Sequence, residues 1–198
     1  MQARDWRALA AALVAICLWS SAFVGIRAAS ASISPGALAL GRLLIGSVLL
    51  GVLLARRGAV RPSARHLALL LVAGLLWFGL YNLALNTAER VVDAGTAAMV
   101  INVGPLVVLA LAAAFLGERV TASLALGGAV GFPGGLGVAC ASRSGDAPLS
   151  GVLLTLAATV ASAAGVVAQK PVLTRLSALQ VTWTCCVVGA VCCLPWAP

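Results

Sequence analysis

A cation, two amides and an indole stand inside otherwise apolar stretches of this sequence: Arg42, Asn82, Asn102 and Trp19. A polar side chain in such a stretch binds something or holds the structure together, because leaving it unpartnered in hydrocarbon is costly. The four have the chemistry to hold a small amino-acid-like ligand. The guanidinium would attract a carboxylate, the amides would hydrogen-bond it, and the indole would pack on its apolar part. Each also has a plainer role. Arg42 can snorkel outward on its long stem, Asn82 and Asn102 can tie helices together, and Trp19 can pack. Two stripes accompany them. Trp77 and Tyr81, and likewise Phe78, Asn82 and Asn86, follow an i, i+4 spacing, which places each set on one helical face. Such a stripe lines a cavity or packs against a neighbouring helix. The candidate substrate-binding set is therefore Trp19, Arg42, Trp77, Tyr81, Asn82 and Asn102.

A second group bears on structure. Pro105 sits mid-run, where it removes one backbone bond and kinks a helix; the kink is either static or a hinge. Glu118 and Arg119 close the same run. They fix a tight turn by local hydrogen bonds and headgroup contact, or form a gating salt bridge. Glu89 and Asp93 fall in a turn between runs and are expected to be solvated. The glycine pairs Gly127/Gly131 and Gly131/Gly135 allow close helix approach, serving either packing within the chain or a homodimer or membrane partner chain. Cys185/Cys192 and Cys186/Cys193 are each seven apart and share helix faces. They suit packing; a soft-metal site is the rival use, and no metal or other cofactor is called for. Enzyme chemistry has little to draw on. There is one histidine, no Ser/His/Asp set and no phosphate-binding loop. No Asp or Glu lies in the middle of an apolar run, so proton coupling through a midplane carboxylate is not expected.

These residues are positioned by long apolar segments. Of 198 residues, 62% are hydrophobic and 9% charged, too little charge to cover a water-facing surface. Seven runs are long enough to span a bilayer as helices: 8–26, 36–54, 67–88, 95–116, 122–141, 150–169 and 178–196. The first is long for a signal peptide and carries Arg27 where a cleavage region is usually uncharged, so it counts as a span. An all-α integral membrane protein follows, in contact with membrane lipids. The net charge of +8 then reflects topology rather than nucleic-acid binding. Nine basic residues (Arg4, Arg7, Arg56, Arg57, Arg61, Arg65, Arg119, Lys170 and Arg175) fall on the side of the N-terminus. Three, Arg27, Arg90 and Arg143, fall opposite. That places the N-terminus in the cytoplasm. By helical rise, Arg42, Asn82, Asn102 and Trp19 all lie about 9–10 Å below the outer surface. A weak repeat pairs residues 143 apart, among them Leu13/Leu156, Val24/Val167, Arg27/Lys170, Ser34/Ser177 and Gly46/Gly189. The offset spans five helices, so the second copy enters from the opposite side, as in inverted-repeat transporters.

The segment LWSSAF at 18–23, Arg42 in the second run and NVGPLVVLALAAAFLGERVTASLALGGAVGFPGGLGV at 102–138 resemble the EamA-type drug/metabolite transporters. The stretch from Pro105 to Gly117-Glu118-Arg119 is its most specific part. The resemblance implies ten helices in two inverted five-helix repeats around a central cavity. Residues 1–143 match the first repeat, and 144–198 match the first two helices of the second. By the repeat offset, about 86 further residues would complete the fold, and this chain resembles a truncated member. The implied activity is alternating-access transport, as an exporter, of small polar metabolites such as amino acids across a bacterial inner membrane. The rival expectation is a half-bundle that acts only by assembling with another membrane chain.

Overall fold

The computed structural model describes residues 3–29, 32–119, 127 and 148–197, and among them the regular structure is helical. The elements are α1 (Ala3–Ala29), α2 (Pro35–Arg57), α3 (Ala64–Ala88), α4 (Ala94–Ile101 and Gly104–Leu116), α5 (Leu149–Leu173) and α6 (Ala178–Cys193), followed by a 3-10 turn, Leu194–Trp196. Six stretches among the described residues are long and apolar enough to cross a membrane. They coincide with six of the seven predicted runs; the run at 122–141, with all but Gly127 of its glycines, lies outside the described residues. Helix is the form that apolar solvent demands, since it satisfies every backbone group within the segment.

Short polar residues start these helices. Ser34, Ser63, Asp93 and Ser177 each accept a hydrogen bond from the backbone N–H three residues on, satisfying a donor that has no intrahelical partner. Pro35 occupies the first turn of α2, where its missing N–H costs nothing. Gly117 ends α4 in the left-handed region, at φ 65°.

Two helices are irregular. In α3 the turns from Gly74 to Leu80 are π-helical, a local widening that occurs most often at functional sites. Asn82 turns back to donate to the Phe78 carbonyl at 2.8 Å. In α4 the helix breaks at Asn102–Val103. Pro105 is the second residue of the segment that follows, so the kink expected at Pro105 is a break just before it.

The core is a seam of α2, α3 and α6, with α5 packed on α3 and α4. Ala39, Leu43, Cys186, Ala190 and Cys193 interlock on the α2 side. Leu70, Ala73, Val172, Leu176, Val181 and Cys185 do so on the other. The cysteines thus serve as small packing groups, and among the described residues no three His, Cys, Asp or Glu side chains form a metal-binding group. At Gly189 a Cβ would stand 2.6 Å from that of Phe78, so α6 and α3 meet at a distance that only glycine allows. By contrast α1 leaves most of its described side chains exposed.

The two faces of the bundle are laced differently. On the face of the N-terminus, Gln180 bonds Val60 in both directions, accepting from its N–H at 3.0 Å and donating to its carbonyl at 2.5 Å. There too Lys170 pairs with Glu118 at 2.8 Å. On the far face, side-chain donors reach backbone carbonyls: Asn86 to Pro35 at 3.1 Å, Arg90 to Ile33 at 3.0 Å and Arg27 to Val92 at 2.6 Å.

Candidate functional site

Four of the six candidate binding residues meet in one place. Trp19 from α1, Arg42 from α2, and Tyr81 and Asn82 from α3 line a cavity of about 40 Å3, closed off by Ala22, Ile26 and Leu85. Each is delivered by helical geometry. Arg42 lies seven residues into α2 from Pro35, about 10 Å of rise from the far face. Tyr81 and Asn82 begin the regular turns after the π segment, and Trp19 sits on the side of α1 turned to them. Tyr81 is buried, Asn82 half-buried, and Arg42 and Trp19 are exposed. Among the described residues Arg42 makes no ion pair or hydrogen bond. Its charge is available to a ligand, and the Asn82 amide oxygen remains as an acceptor beside it.

The other two candidates stand elsewhere. Trp77 turns onto α5, where a Cβ at Gly165 would lie 2.6 Å from its own, and its ring meets Phe78 edge-on at 5.2 Å. Asn102 is exposed at the break in α4, its backbone N–H bonded to the Ala98 carbonyl at 3.0 Å. Glu118 and Arg119 follow Gly117 on the opposite face. There the Glu118 carboxylate reaches across to Lys170 of α5, accepting from Nζ at 2.8 and 3.0 Å. A further cavity of about 390 Å3 between α3, α4 and α5 is lined by apolar groups such as Leu76, Phe115 and Val167, with Arg65 as its charged side chain. It is larger but offers little to orient a polar ligand.

Glu89 departs from expectation. It is the residue after α3 and was expected in solvent, yet it is 1% exposed, and neither carboxylate oxygen has a hydrogen-bond partner among the described residues. Burial pushes its carboxyl up to about 7, against the opposing charges of Arg27 and Arg42. Asp93 is half-buried. Its carboxylate accepts from the Thr96 hydroxyl at 2.6 Å and the Thr96 N–H at 3.0 Å, and these bonds hold it below the usual carboxylate range. Hydropathy could not have found the burial of Glu89; the one hint was its position one turn after Leu85 on the Tyr81 face.

A polytopic helical bundle with a cation, an amide and two aromatics around a cavity inside the membrane is the architecture of a small-molecule carrier. The sequence profile of the EamA-like transporter family matches residues 6–140, and the chain belongs to that family. It is 34% identical over 192 residues to a protein of Streptantibioticus cattleyicolor named a probable terminal-alkyne amino-acid exporter, covering 97% of this chain and 64% of that relative. An uncharacterized transporter of Archaeoglobus fulgidus is 29% identical over 195 residues, covering 98% of this chain and 68% of its own length. The uncharacterized transporter YdfC of Bacillus subtilis is 33% identical over 143 residues, covering 72% and 47% respectively. The chain thus spans about two thirds or less of the length of these relatives. No solved structure matches it.

Proposed function

We propose that this chain forms the ligand-holding part of an exporter of small amino-acid-like metabolites that works by alternating access in the bacterial inner membrane, with its N-terminus in the cytoplasm. The observation that carries this reading is the meeting of Trp19, Arg42, Tyr81 and Asn82 around one cavity. Arg42 supplies the charge for a carboxylate, Asn82 an amide, and Trp19 and Tyr81 surfaces for the apolar part. The name of the Streptantibioticus relative agrees with an amino-acid cargo. At about 40 Å3 the cavity has room for a water or two rather than an amino acid. Loading therefore requires it to widen, and α1, the least packed wall, is the element free to move.

An inverted repeat of 1–143 and 144–198 supports alternation. Ser34 and Ser177, 143 apart, cap α2 and α6 in the same way. The two helices run antiparallel and cross at their middles, with Gly46 facing Cys186 and, on either side, Gly36 facing Trp196 and Gly51 facing Trp183. The excess of basic residues on the face of Lys170 and Arg61 supports the orientation.

The test is export of an amino-acid panel by cells expressing the chain. Arg42→Ala should cut Arg42-dependent export about 10- to 100-fold, the value of a hydrogen bond to a charged group, at unchanged membrane abundance. Arg42→Lys should restore part, since it keeps the charge but not the planar fork. Normal export by Arg42→Ala would refute the site. Saturable transport by the purified chain in liposomes separates this reading from a half-bundle completed by another membrane chain, which the exposure of α1 favours.

A further inference from the structure

We infer that Glu89 is a proton-binding group linked through the Arg42 charge to the neighbouring cavity, so that a carboxylate-bearing ligand and a proton bind together. The inference rests on the reading of the cavity as an anion site and adds the proton to it. Glu89 stands one helical turn beyond Leu85, a wall of that cavity, and Arg27 follows Ile26, another wall. The Glu89 side chain is 1% exposed and both its carboxylate oxygens are unpartnered among the described residues. A carboxylate so placed must be neutralised by a nearby cation or by a proton.

The charged groups around it are few and mostly engaged. From α1, Arg27 directs Nη1 to the backbone carbonyls of Glu89 at 3.3 Å and Val92 at 2.6 Å. From α2 comes Arg42. In its own turn, Arg90 points to the Ile33 carbonyl and Asp93 to Thr96. The groups packed against this corner from α4 and α5, Ala97 and Leu154, are apolar; Arg143 lies outside the described residues. Arg42 is thus the cation shared by Glu89 and the cavity.

The sign of the linkage follows. Arg42 favours the charged form of Glu89. An anion seated on Arg42 cancels that help, so Glu89 holds its proton more tightly and takes one up from the outer solution as the anion binds. By reciprocity, protonating Glu89 strengthens anion binding by the same factor.

The chain contains two glutamates, Glu89 and Glu118. Carbon-13 labelling of the glutamate carboxyls therefore gives two NMR signals in micelles, and Glu118→Gln leaves the one from Glu89. That signal should titrate near pH 7. Its midpoint should rise in Arg42→Ala, or in Arg42→Gln if the alanine variant does not fold. Saturating propionate should raise it in the wild-type chain and leave it unmoved in the Arg42 variant. A midpoint in the ordinary carboxylate range, or one indifferent to Arg42, overturns the proton site. A midpoint that answers to Arg42 but not to propionate overturns the linkage. The shift on replacing Arg42 needs no substrate, so it succeeds or fails independently of the export assay.

Discussion

The two glutamates of this chain sit at opposite ends of the bundle in opposite circumstances. Glu118 is half out in water and holds Lys170 at 2.8 Å. Glu89 is buried, with no hydrogen bond to its carboxylate among the described residues. The exposed one has the partner and little to gain from it, because water and salt screen the pair. The buried one carries the larger energetic consequence because nothing screens it. Proximity to a partner is thus a poor guide to which charge matters; loss of water is the better one.

The largest expected effect falls on Glu89. Its carboxyl is raised from 4.5 to about 7 on folding, so between those values the folded chain binds the extra proton and stability falls as pH rises, levelling off above about 7. The full loss is about 3 kcal/mol. Unfolding of the micellar chain followed by circular dichroism across this range should show the slope, and Glu89→Gln should flatten it. A wild-type chain equally stable at pH 5 and pH 8 would erase the contrast between the two ends. Next comes Asp93, a carboxylate near Glu89 but bonded. Asp93→Ala removes the cap of α4 and should cost about 1 kcal/mol, while Asp93→Asn should cost less because an amide oxygen also caps; thermal melts of the two variants compare them. The smallest effect belongs to Glu118. Glu118→Gln should cost less than about 1 kcal/mol, and added salt should shrink the difference further. A larger loss, insensitive to salt, would mean that the exposed pair locks the bundle after all.

Much of this was legible in the sequence. Apolar length locates the described helices because hydrocarbon tolerates little else, and Ser34, Asp93 and Ser177 mark where three of them begin. Depth was legible as well, since rise per residue is fixed. Direction was not. The second segment of α4 is apolar all round, so no pattern says which way Asn102 faces, and it faces away from the cavity. Trp77 was paired with Tyr81 on the assumption of unbroken α register, and the π turns between Gly74 and Leu80 rotate it onto Gly165 instead. Glu89 was counted as solvent-facing because it lies outside an apolar run, but its burial depends on α1 and α2 folding over the turn, a contact between distant parts of the chain.

The widened turn of α3 also has a genetic reading. The extra residue between Gly74 and Leu80 sets the phase of everything after it. Deleting a single codon there would turn the far half of the helix by about 100° while leaving Leu70 and Ala73 docked in their cluster. Tyr81, Asn82 and Glu89 would swing off the cavity side as a set. Three chemically distinct side chains therefore share one point of failure in the reading frame, and a lineage that lost that codon would lose them together rather than one at a time.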